Sequence, residues 1–310
     1  MARGKGRSDL RIGTRGSELA LTQARQVAAR LRAAGVESEV VTITTSGDRR
    51  EIPRDPADVG KALWTREIEE ALASGDIDLA VHSLKDLPAA LPEGLMIGAV
   101  LPREDPGDVL ISRHVPRSIE ALGRGAAVGT GSIRRRAYLH KARSDLKIGH
   151  LKGNVPTRLK RLDEGRFDAI VLAAAGLNRL DLRPPGLHPL DYDVMAPALC
   201  QGIVAVEIRR EDRREGWVAA LNDVPTMTVT RAERALLDEL DVGCGAPVGG
   251  LARVDGGTLR VFGEVLSPDG SRAVREEAEG AVSDAETLGR RVGQKLIRGD
   301  AADLLENLRH

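Results

Sequence analysis

The stretch SGDIDLAV at residues 74–81 closes a helical pattern with a glycine and continues into an apolar strand. The stretch EGRFDAIV at residues 164–171 repeats that design, with a glycine C-cap, an aspartate and another apolar strand. Each leads into a short segment that carries polar groups, residues 82–86 and residues 173–179. Open α/β sheets bind ligands at the carboxyl ends of their strands, where both segments lie. The repeat predicts two similarly built α/β lobes, which we expect to face each other across a cleft.

The segments around the first stretch predict alternating strands and helices, and hence parallel sheets covered by helices. Ser17 is a suitable N-cap for a helix, and Gly35 lies just past its end. In order, the predicted elements are a strand over 10–13, a helix over 17–34, a strand over 40–44, a flexible loop over 46–61, a helix over 63–73 and a strand over 77–82. Later, alternating patterns over 249–254 and 259–266 predict a small antiparallel sheet with helices on one side.

The composition is that of a globular protein with more than one domain. The chain has 310 residues, and its 46 basic residues balance its 46 acidic ones. This balance argues against nucleic-acid binding, and no segment is apolar over the length of a membrane span. The polar, basic residues 1–9 lead into no apolar segment, so we expect a cytoplasmic protein. With 2 cysteines, the chain has no disulfide framework of the kind that small secreted domains use.

Positive charge is concentrated between Arg134 and Arg161, where ten basic residues accompany one acidic residue. Two strand–turn–helix motifs lie in or next to this region: Gly129–Ser132, followed by Arg134 and Arg135, and Lys152–Arg158. Backbone N–H groups, the helix dipole and the cations would converge at each helix start. A solvated basic face is one interpretation. The other is a site for a ligand with several carboxylates or phosphates.

Asp86 and Cys244 each admit a structural and a functional interpretation. Asp86 follows a strand end, where it could cap a turn or, amid so many cations, stabilise a positive charge that develops during a reaction. Cys244 lies between two glycines, where it could be a small buried residue or a point of covalent attachment.

Taken together, these motifs resemble the porphobilinogen deaminase family nearly from end to end. The motifs that carry the resemblance are RIGTRGS (11–17), HSLKDLP (82–88), REDP (103–106), GTGSIRR (129–135), GNVPTRL (153–159), LAAAGLNRL (172–180), Gln201-Gly202, TRAER (230–234) and Gly243-Cys244.

The resemblance implies a transferase of porphyrin, and hence haem, biosynthesis. Such an enzyme joins four porphobilinogen molecules to a covalently bound dipyrromethane cofactor, losing ammonia each time, and releases hydroxymethylbilane by hydrolysis. Cys244 matches the cysteine that holds the cofactor through a thioether, and Asp86 matches the catalytic aspartate. The residues that match cofactor- and substrate-binding positions are Arg15, Ser17, Lys61, Lys85, Thr130, Ser132, Arg134, Arg135, Lys152, Arg158, Arg179 and Gln201.

The resemblance also implies three α/β domains and a monomer without nucleic-acid or membrane partners. The first lobe comprises residues 8–103 with 199–218 and carries the loop and Asp86. Residues 104–198 form the second lobe, with the basic cofactor-binding side, and residues 222–310 form the domain that carries the cofactor cysteine. The two lobes would resemble periplasmic binding proteins.

Several positions depart from the family pattern. Lys152 replaces an arginine, Asp58 stands where a lysine is common, in a loop one residue short, and Trp64 replaces a phenylalanine. Cys200 stands where glycine or another small residue is typical, and Gly245-Ala246 after Cys244 is unusual. These departures keep one alternative open, an inactive paralogue without cofactor. A bilobal carboxylate-binding protein is the other alternative, although Asp86, Cys244 and the lack of a signal-peptide pattern count against it.

Overall fold

A computed structural model describes residues 9–48, 64–113, 118–242 and 246–309 of the chain. The strands of this part of the chain are β1 (Leu10–Thr14), β2 (Ser38–Thr42), β3 (Leu79–Ser83), β4 (Leu95–Val100), β5 (Asp108–Ser112), β6 (Ala127–Thr130), β7 (Lys147–His150), β8 (Ala169–Ala173), β9 (Leu187–Pro189), β10 (Val204–Arg209), β11 (Val248–Asp255), β12 (Thr258–Leu266) and β13 (Ala273–Ala281).

The α-helices are α1 (Glu18–Ala33), α2 (Arg66–Ser74), α3 (Ile133–Ala142), α4 (Val155–Asp163), α5 (Ala174–Arg179), α6 (Gly216–Leu221), α7 (Val224–Leu240), α8 (Ala285–Arg298) and α9 (Ala302–Arg309). Short 3-10 turns cover Leu84–Asp86, Arg210–Arg214 and Val282–Asp284. None of the helices in the described ranges combines the length and the apolar character needed to cross a bilayer.

The first sheet has the strand order β2-β1-β3-β10-β4. Strands β1, β2 and β3 are parallel, whereas β10 is antiparallel to both of its neighbours. Helices α1 and α6 cover one face, where Val27 and Leu31 pack with Ile12 and Val206. Helix α2 packs Ile68 and other apolar residues against the opposite face. Burial of both faces explains why the strands are almost continuously apolar.

The second sheet repeats this design with the order β7-β6-β8-β5-β9, in which β7, β6 and β8 are parallel and β5 is antiparallel to both of its neighbours. Helix α3 covers one face, and α4 and α5 cover the other. The internal repeat is confirmed: α2 and α4 precede equivalent strands, and Gly75 and Gly165 both adopt positive φ angles, 82° and 75°. The α/β fold class is confirmed with it.

The third sheet is antiparallel, with the order β11-β12-β13. Gly263 lies against α7 and α8 on one face, because a Cβ atom there would meet Leu236, Leu296 and Val292. The next residue, Glu264, faces the other way and accepts a hydrogen bond from Tyr138 Oη of α3 at 2.8 Å. The prediction of helices on one side is therefore incomplete, because α3 contacts the opposite face.

The chain divides into two compact units, residues 1–102 with 204–224 and residues 103–203 with 225–310. The first unit holds the first sheet, and the second unit holds the other two sheets. The contact of α3 with β12 is one reason that the second and third sheets belong to one unit. The finer division into three domains stays a prediction.

Local sequence explains most of the element boundaries. Ser17, Ser132 and Asn154 each accept a hydrogen bond from a backbone N–H in the first turn of α1, α3 and α4. Strand β2 lies two residues earlier than the predicted 40–44, because it pairs with β1 only until β1 ends at Thr14. Helix α2 begins at Arg66 rather than at residue 63, because Trp64 and Thr65 form a turn.

Candidate functional site

Asp86 lies at the carboxyl end of β3, in the 3-10 turn that also contains Lys85. Leu84 and Leu87 on either side are buried, so they hold the turn while the Asp86 side chain is exposed. Its carboxylate makes no hydrogen bond or ion pair with any described residue. An exposed, uncommitted carboxylate on a fixed turn is available to a cation or to a hydrogen-bond donor on a ligand.

Arg15 and Ser17 follow β1, which is parallel to β3, so they lie at the same edge of the sheet as Asp86. The Arg15 guanidinium pairs with Asp48 (Nη2–Oδ1 2.6 Å) and stacks 4.0 Å from the Trp64 ring centroid. Burial alone would raise the pKa of Asp48, but hydrogen bonds from Arg15 and Thr45 hold it below its usual value. Arg15, which was predicted to bind substrate carboxylates, is therefore already paired with Asp48. The sequence did not reveal this pairing.

A buried cluster of titratable groups lies beneath this edge. His82 of β3 is 3.2 Å from Glu207 of β10 (Nε2–Oε2), and both side chains are almost completely buried. Glu69 of α2 is buried nearby; burial raises its pKa, and the Glu207 carboxylate raises it further. Both Glu207 oxygens lack a hydrogen-bond donor in the described part of the chain. Sequence analysis quoted His82 only within a motif and did not predict the acidic pair.

In the second unit, Arg134 and Arg135 are buried and bind one fully buried carboxylate, Asp108 of β5. Arg134 Nη2 lies 2.6 Å from Oδ2, and Arg135 Nη2 lies 2.8 Å from Oδ1. Gln201 Nε2 donates to the same Oδ1 at 2.9 Å. Burial would raise the pKa of Asp108, but the two guanidinium groups hold it well below its usual range.

Arg134, Arg135 and Gln201, all predicted to bind ligand carboxylates, thus bind the carboxylate of Asp108. Two guanidinium groups around one carboxylate leave a net positive charge at the start of α3. Asp108 was quoted in no motif, although an aspartate directly before the apolar run of β5 is a sequence signal for a buried ion pair.

Other predicted residues lie at the carboxyl edge of the second sheet. Thr130 ends β6 and accepts a hydrogen bond from Ser132 N at 3.2 Å, which shapes the turn into α3. Lys152 and Arg158 flank the start of α4, where Arg158 Nε donates to Gly153 O at 2.7 Å. The Lys152 ammonium is exposed and forms no ion pair with a described residue. Thr130, Ser132, Lys152 and Arg158 therefore lie at one edge of the sheet, where its parallel strands end.

Arg136 and His150 belong to the same edge but were not predicted as site residues. Both side chains are exposed. The pKa of His150 is below its usual value because of partial desolvation and, after it, the positive charges of Lys152, Arg136 and Arg158. Arg136 was visible in the basic run, whereas a histidine neutral at pH 7 adds nothing to a charge count.

Arg179 lies in α5, directly after β8, at the same edge of the sheet. Its Nη2 donates to Gly202 O at 2.7 Å, and its guanidinium forms no salt bridge within the described ranges. Burial lowers its pKa, because a desolvated cation has lost hydration, and the charge of the Glu104 carboxylate, which is not within salt-bridge distance, offsets this effect only in part. A guanidinium in this state is suited to an incoming carboxylate.

Two predicted residues, Lys61 and Cys244, lie outside the described residues, as do Asp58 and Gly245. The segments on either side of Cys244 are well anchored: α7 ends at Leu240, and Gly250 N of β11 donates to Pro197 O at 2.8 Å. Glu233 of α7 accepts from Arg103 Nη1 at 2.6 Å and from Ala252 N of β11 at 2.7 Å. The end of α7 and the start of β11 are thus tied to one buried carboxylate.

Comparison with known proteins identifies two family models that together cover most of the chain. Residues 10–215 match "Porphobilinogen deaminase, dipyromethane cofactor binding domain", and residues 227–298 match "Porphobilinogen deaminase, C-terminal domain". Porphobilinogen deaminase of Moorella thermoacetica is 45% identical over 97% of this chain and 97% of its own length. The Thermus thermophilus protein of that name is 46% identical over 96% of this chain and 98% of its own length.

Among solved structures, the chain resembles a periplasmic substrate-binding protein of an ABC transporter from Coxiella burnetii. The identity is 18%, the TM-score is 0.43, and the likeness covers 71% of this chain and 94% of the other. A methionine-binding lipoprotein from Bacillus subtilis gives a TM-score of 0.42 at 12% identity, over 69% of this chain and 88% of the other. Likenesses of this size carry no argument about ligand or function.

Proposed function

The chain belongs to the porphobilinogen deaminase family, and we propose that it joins porphobilinogen units on a covalently bound dipyrromethane and releases hydroxymethylbilane, with Asp86 and Cys244 in separate roles. The observation that carries this proposal is the family match, which spans both the cofactor-binding and the C-terminal parts of the chain. The enzyme is a transferase of tetrapyrrole biosynthesis.

The described cations suit a dipyrromethane, a group that carries several carboxylates. Lys152 forms no ion pair with a described residue, Arg179 is desolvated and forms no salt bridge with one, and the Asp108 cluster leaves a net positive charge at the start of α3. When bound, the dipyrromethane supplies the pyrrole carbon to which the first substrate ring is joined. Lys152, Arg158 and Arg179 would bind carboxylates directly, whereas Arg134, Arg135 and Gln201 fix the turn and contribute their long-range field.

Asp86 is the group we assign to the chemical step. Loss of ammonia from the aminomethyl group of porphobilinogen leaves a cation on the substrate. The methylene carbon that carried the amine would then bond to a pyrrole carbon supplied by the bound chain, and that pyrrole carbon would release its proton. A fixed carboxylate stabilises the cation and accepts hydrogen bonds from pyrrole N–H groups. Asp86 suits this role because its turn is anchored by buried leucines while its carboxylate has no partner among described side chains.

We assign cofactor attachment to Cys244, and the other cysteine provides the contrast. Cys200 is buried, and burial, with the Glu233 carboxylate, raises its pKa to about 12, so its sulfur stays an unreactive thiol. The finer expectations of a cytoplasmic monomer and no nucleic-acid partner remain predictions.

The intact mass of the protein, purified from a host that makes porphobilinogen, tests this assignment. We expect a mass above that of the sequence by one covalent dipyrromethane. Cys244→Ser should remove the increment, and the matched variant Cys200→Ser should retain it. An unmodified wild-type mass would contradict the proposed function and favour an inactive paralogue. An increment that persists in Cys244→Ser would contradict only the attachment site.

A further inference from the structure

His150 and Arg136 share a surface with the predicted carboxylate-binding residues of the second unit. His150 ends β7 directly opposite Thr130 of β6, and Leu151 N donates to Thr130 O at 3.1 Å. Arg136 lies one helical turn after the N-cap Ser132, to whose carbonyl its N–H donates at 3.0 Å. The hydrogen bonds of the 130–132 turn thus place both residues beside the start of α3.

The charges on this surface have one sign. We define the edge patch as Arg136, His150, Lys152 and Arg158. Three cations act on His150. Arg136 belongs to α3, Lys152 belongs to the turn after β7, and Arg158 belongs to α4. No described carboxylate contributes to the electrostatic environment of the imidazole, and Arg136, His150 and Lys152 form no ion pair with any described residue.

The absence of described acids around Arg136, His150 and Lys152 distinguishes these three residues from other basic positions in this unit. Arg143, seven residues after Arg136, pairs with Asp145 at 2.6 Å. Surface cations are usually interspersed with acids, because like charges held together lower stability. A cluster that repels itself in the empty protein gains free energy when a polyanion binds, and His150 can add one more positive charge at that moment.

We propose that Arg136 and His150 are specificity-determining members of the carboxylate site, and that the His150 imidazole takes up a proton when the carboxylates of the pyrrole chain bind beside it. This inference rests on the proposed function of Lys152 and Arg158. Each added ring brings two more carboxylates, so anionic charge grows during elongation. Without ligand, a neutral imidazole avoids adding a fourth positive charge to those of Arg136, Lys152 and Arg158. With ligand bound, a protonated imidazole donates a charge-assisted hydrogen bond to a ligand carboxylate.

The direction of the pH dependence follows from linkage. In the substrate-free protein, partial desolvation and then the neighbouring cations hold the pKa of His150 below its usual value, so the imidazole is mainly neutral at pH 7. Bound carboxylates favour the protonated form and raise that pKa. Binding is therefore tighter below the ligand-bound pKa and weakens as pH rises through it. If the pKa of His150 rises by one unit on binding, the affinity for the ligand changes by about tenfold between the pH values below the free pKa and those above the ligand-bound pKa.

Proton NMR of the imidazole tests the proposal without relying on turnover. The probe is the holoenzyme, with and without porphobilinogen, and the His150 signal is identified by its loss in His150→Gln. We expect the His150 pKa to rise by about one unit on substrate addition. In the substrate-free holoenzyme, Arg136→Gln should also raise it, because one repelling charge is removed. The matched control is His188 on β9, the strand at the other end of the sheet from β7. Substrate should leave its NMR signal unchanged.

Steady-state kinetics provide the second measurement. The KM for porphobilinogen should rise with pH more steeply in wild type than in His150→Gln, and His188→Gln should follow wild type. An imidazole pKa that stays constant or falls on substrate addition, or equal pH slopes in wild type and His150→Gln, would overturn the inference.

Lys152→Gln separates this inference from the proposed function. If Lys152→Gln raises KM while His150→Gln leaves the pH slope unchanged, only the role of His150 fails. If Lys152→Gln leaves KM unchanged as well, the edge patch is not the carboxylate site, and the proposed binding role fails with it.

Discussion

Cys200 departs from the family pattern at a position where the backbone favours glycine. Its φ angle is 63°, in the left-handed region where glycine is favoured because a Cβ atom crowds the following carbonyl. Its N–H donates to buried Glu233, which fixes this conformation. The unusual cysteine therefore occupies a position whose backbone suits glycine, and its buried thiol has no part in the chemistry we propose.

Asp86→Asn should separate chemistry from folding at the residue scale. The side chain is exposed and makes no contact that the substitution would break, so the free energy of unfolding should change by less than about 0.5 kcal/mol. Elongation should slow by about 100-fold or more, because a neutral amide stabilises a cation poorly. Turnover and thermal denaturation measure the two effects, with Glu93→Gln, another exposed carboxylate of this unit, as the control. Wild-type turnover in Asp86→Asn would remove Asp86 from the mechanism.

At the scale of elements, the buried contact of α2 with β3 and β10 supports the turn that carries Asp86. His82 faces Ala205 across the ladder, and Glu207 lies two residues further along the same face of β10. Glu69 brings a second carboxyl group to this contact from α2. An acid pair with one imidazole has an excess of negative charge once both carboxyls ionise, so this contact should depend on pH.

Glu69→Gln should stabilise the protein at neutral pH. Burial and the Glu207 carboxylate raise the pKa of Glu69, so the folded state holds this proton more tightly than the unfolded state does. The resulting stabilisation is present below the unfolded pKa and is lost as pH rises through the folded pKa. We expect a gain of about 1 kcal/mol in Glu69→Gln at pH 7 to 8, shrinking as pH falls towards 5.

Chemical denaturation at several pH values measures this gain. Glu70→Gln changes an exposed neighbour whose ion pair among the described residues is with Arg66, and it should alter stability by less than about 0.5 kcal/mol. A loss of stability in Glu69→Gln at every pH would contradict the raised pKa of Glu69.

At the scale of the whole molecule, the third sheet packs against α3, the helix that covers one face of the second sheet. This contact combines hydrogen bonds with apolar packing. Tyr138 and Lys141 of α3 both bind Glu264 of β12, with Lys141 Nζ 2.5 Å from Oε1. Burial and the Glu264 carboxylate raise the pKa of Tyr138 well above its usual value, so its hydroxyl stays a donor. Leu266 of β12 belongs to the same buried apolar cluster as Tyr138.

Glu264→Gln should weaken this docking. The substitution removes the charge that accepts from Tyr138 and Lys141, and hydrogen bonds to charged groups contribute about 1.5–3 kcal/mol. We expect unfolding free energy to fall by about that amount, with Glu279→Gln on exposed β13 changing it by less than about 0.5 kcal/mol. Calorimetry would measure both. Equal stability of Glu264→Gln and wild type would show that the apolar contact alone holds the sheet.

Local patterns predicted the elements well and the partners of the charged residues poorly. Ser17, Ser132 and Gly75 mark helix ends through interactions within a few residues, so the sequence revealed them. The repeat at 74–81 and 164–171 predicted two lobes of one design, because each stretch encodes a complete helix–turn–strand unit. Asp48 and Asp108 were missed as partners of Arg15, Arg134 and Arg135, because those pairs join residues 26 to 33 positions apart.

The sequence by itself determined the α/β class, the repeat, the family and the residue types of the site, since periodicity, capping and motif order are local properties of the chain. Tertiary structure alone decided which cations remain available. Arg134 and Arg135 are committed to Asp108, while Lys152 is free among the described residues and His150 lies within the field of three cations. The physical reason is that the state of a charge depends on burial and on neighbours brought close by folding, neither of which its position in the chain reveals.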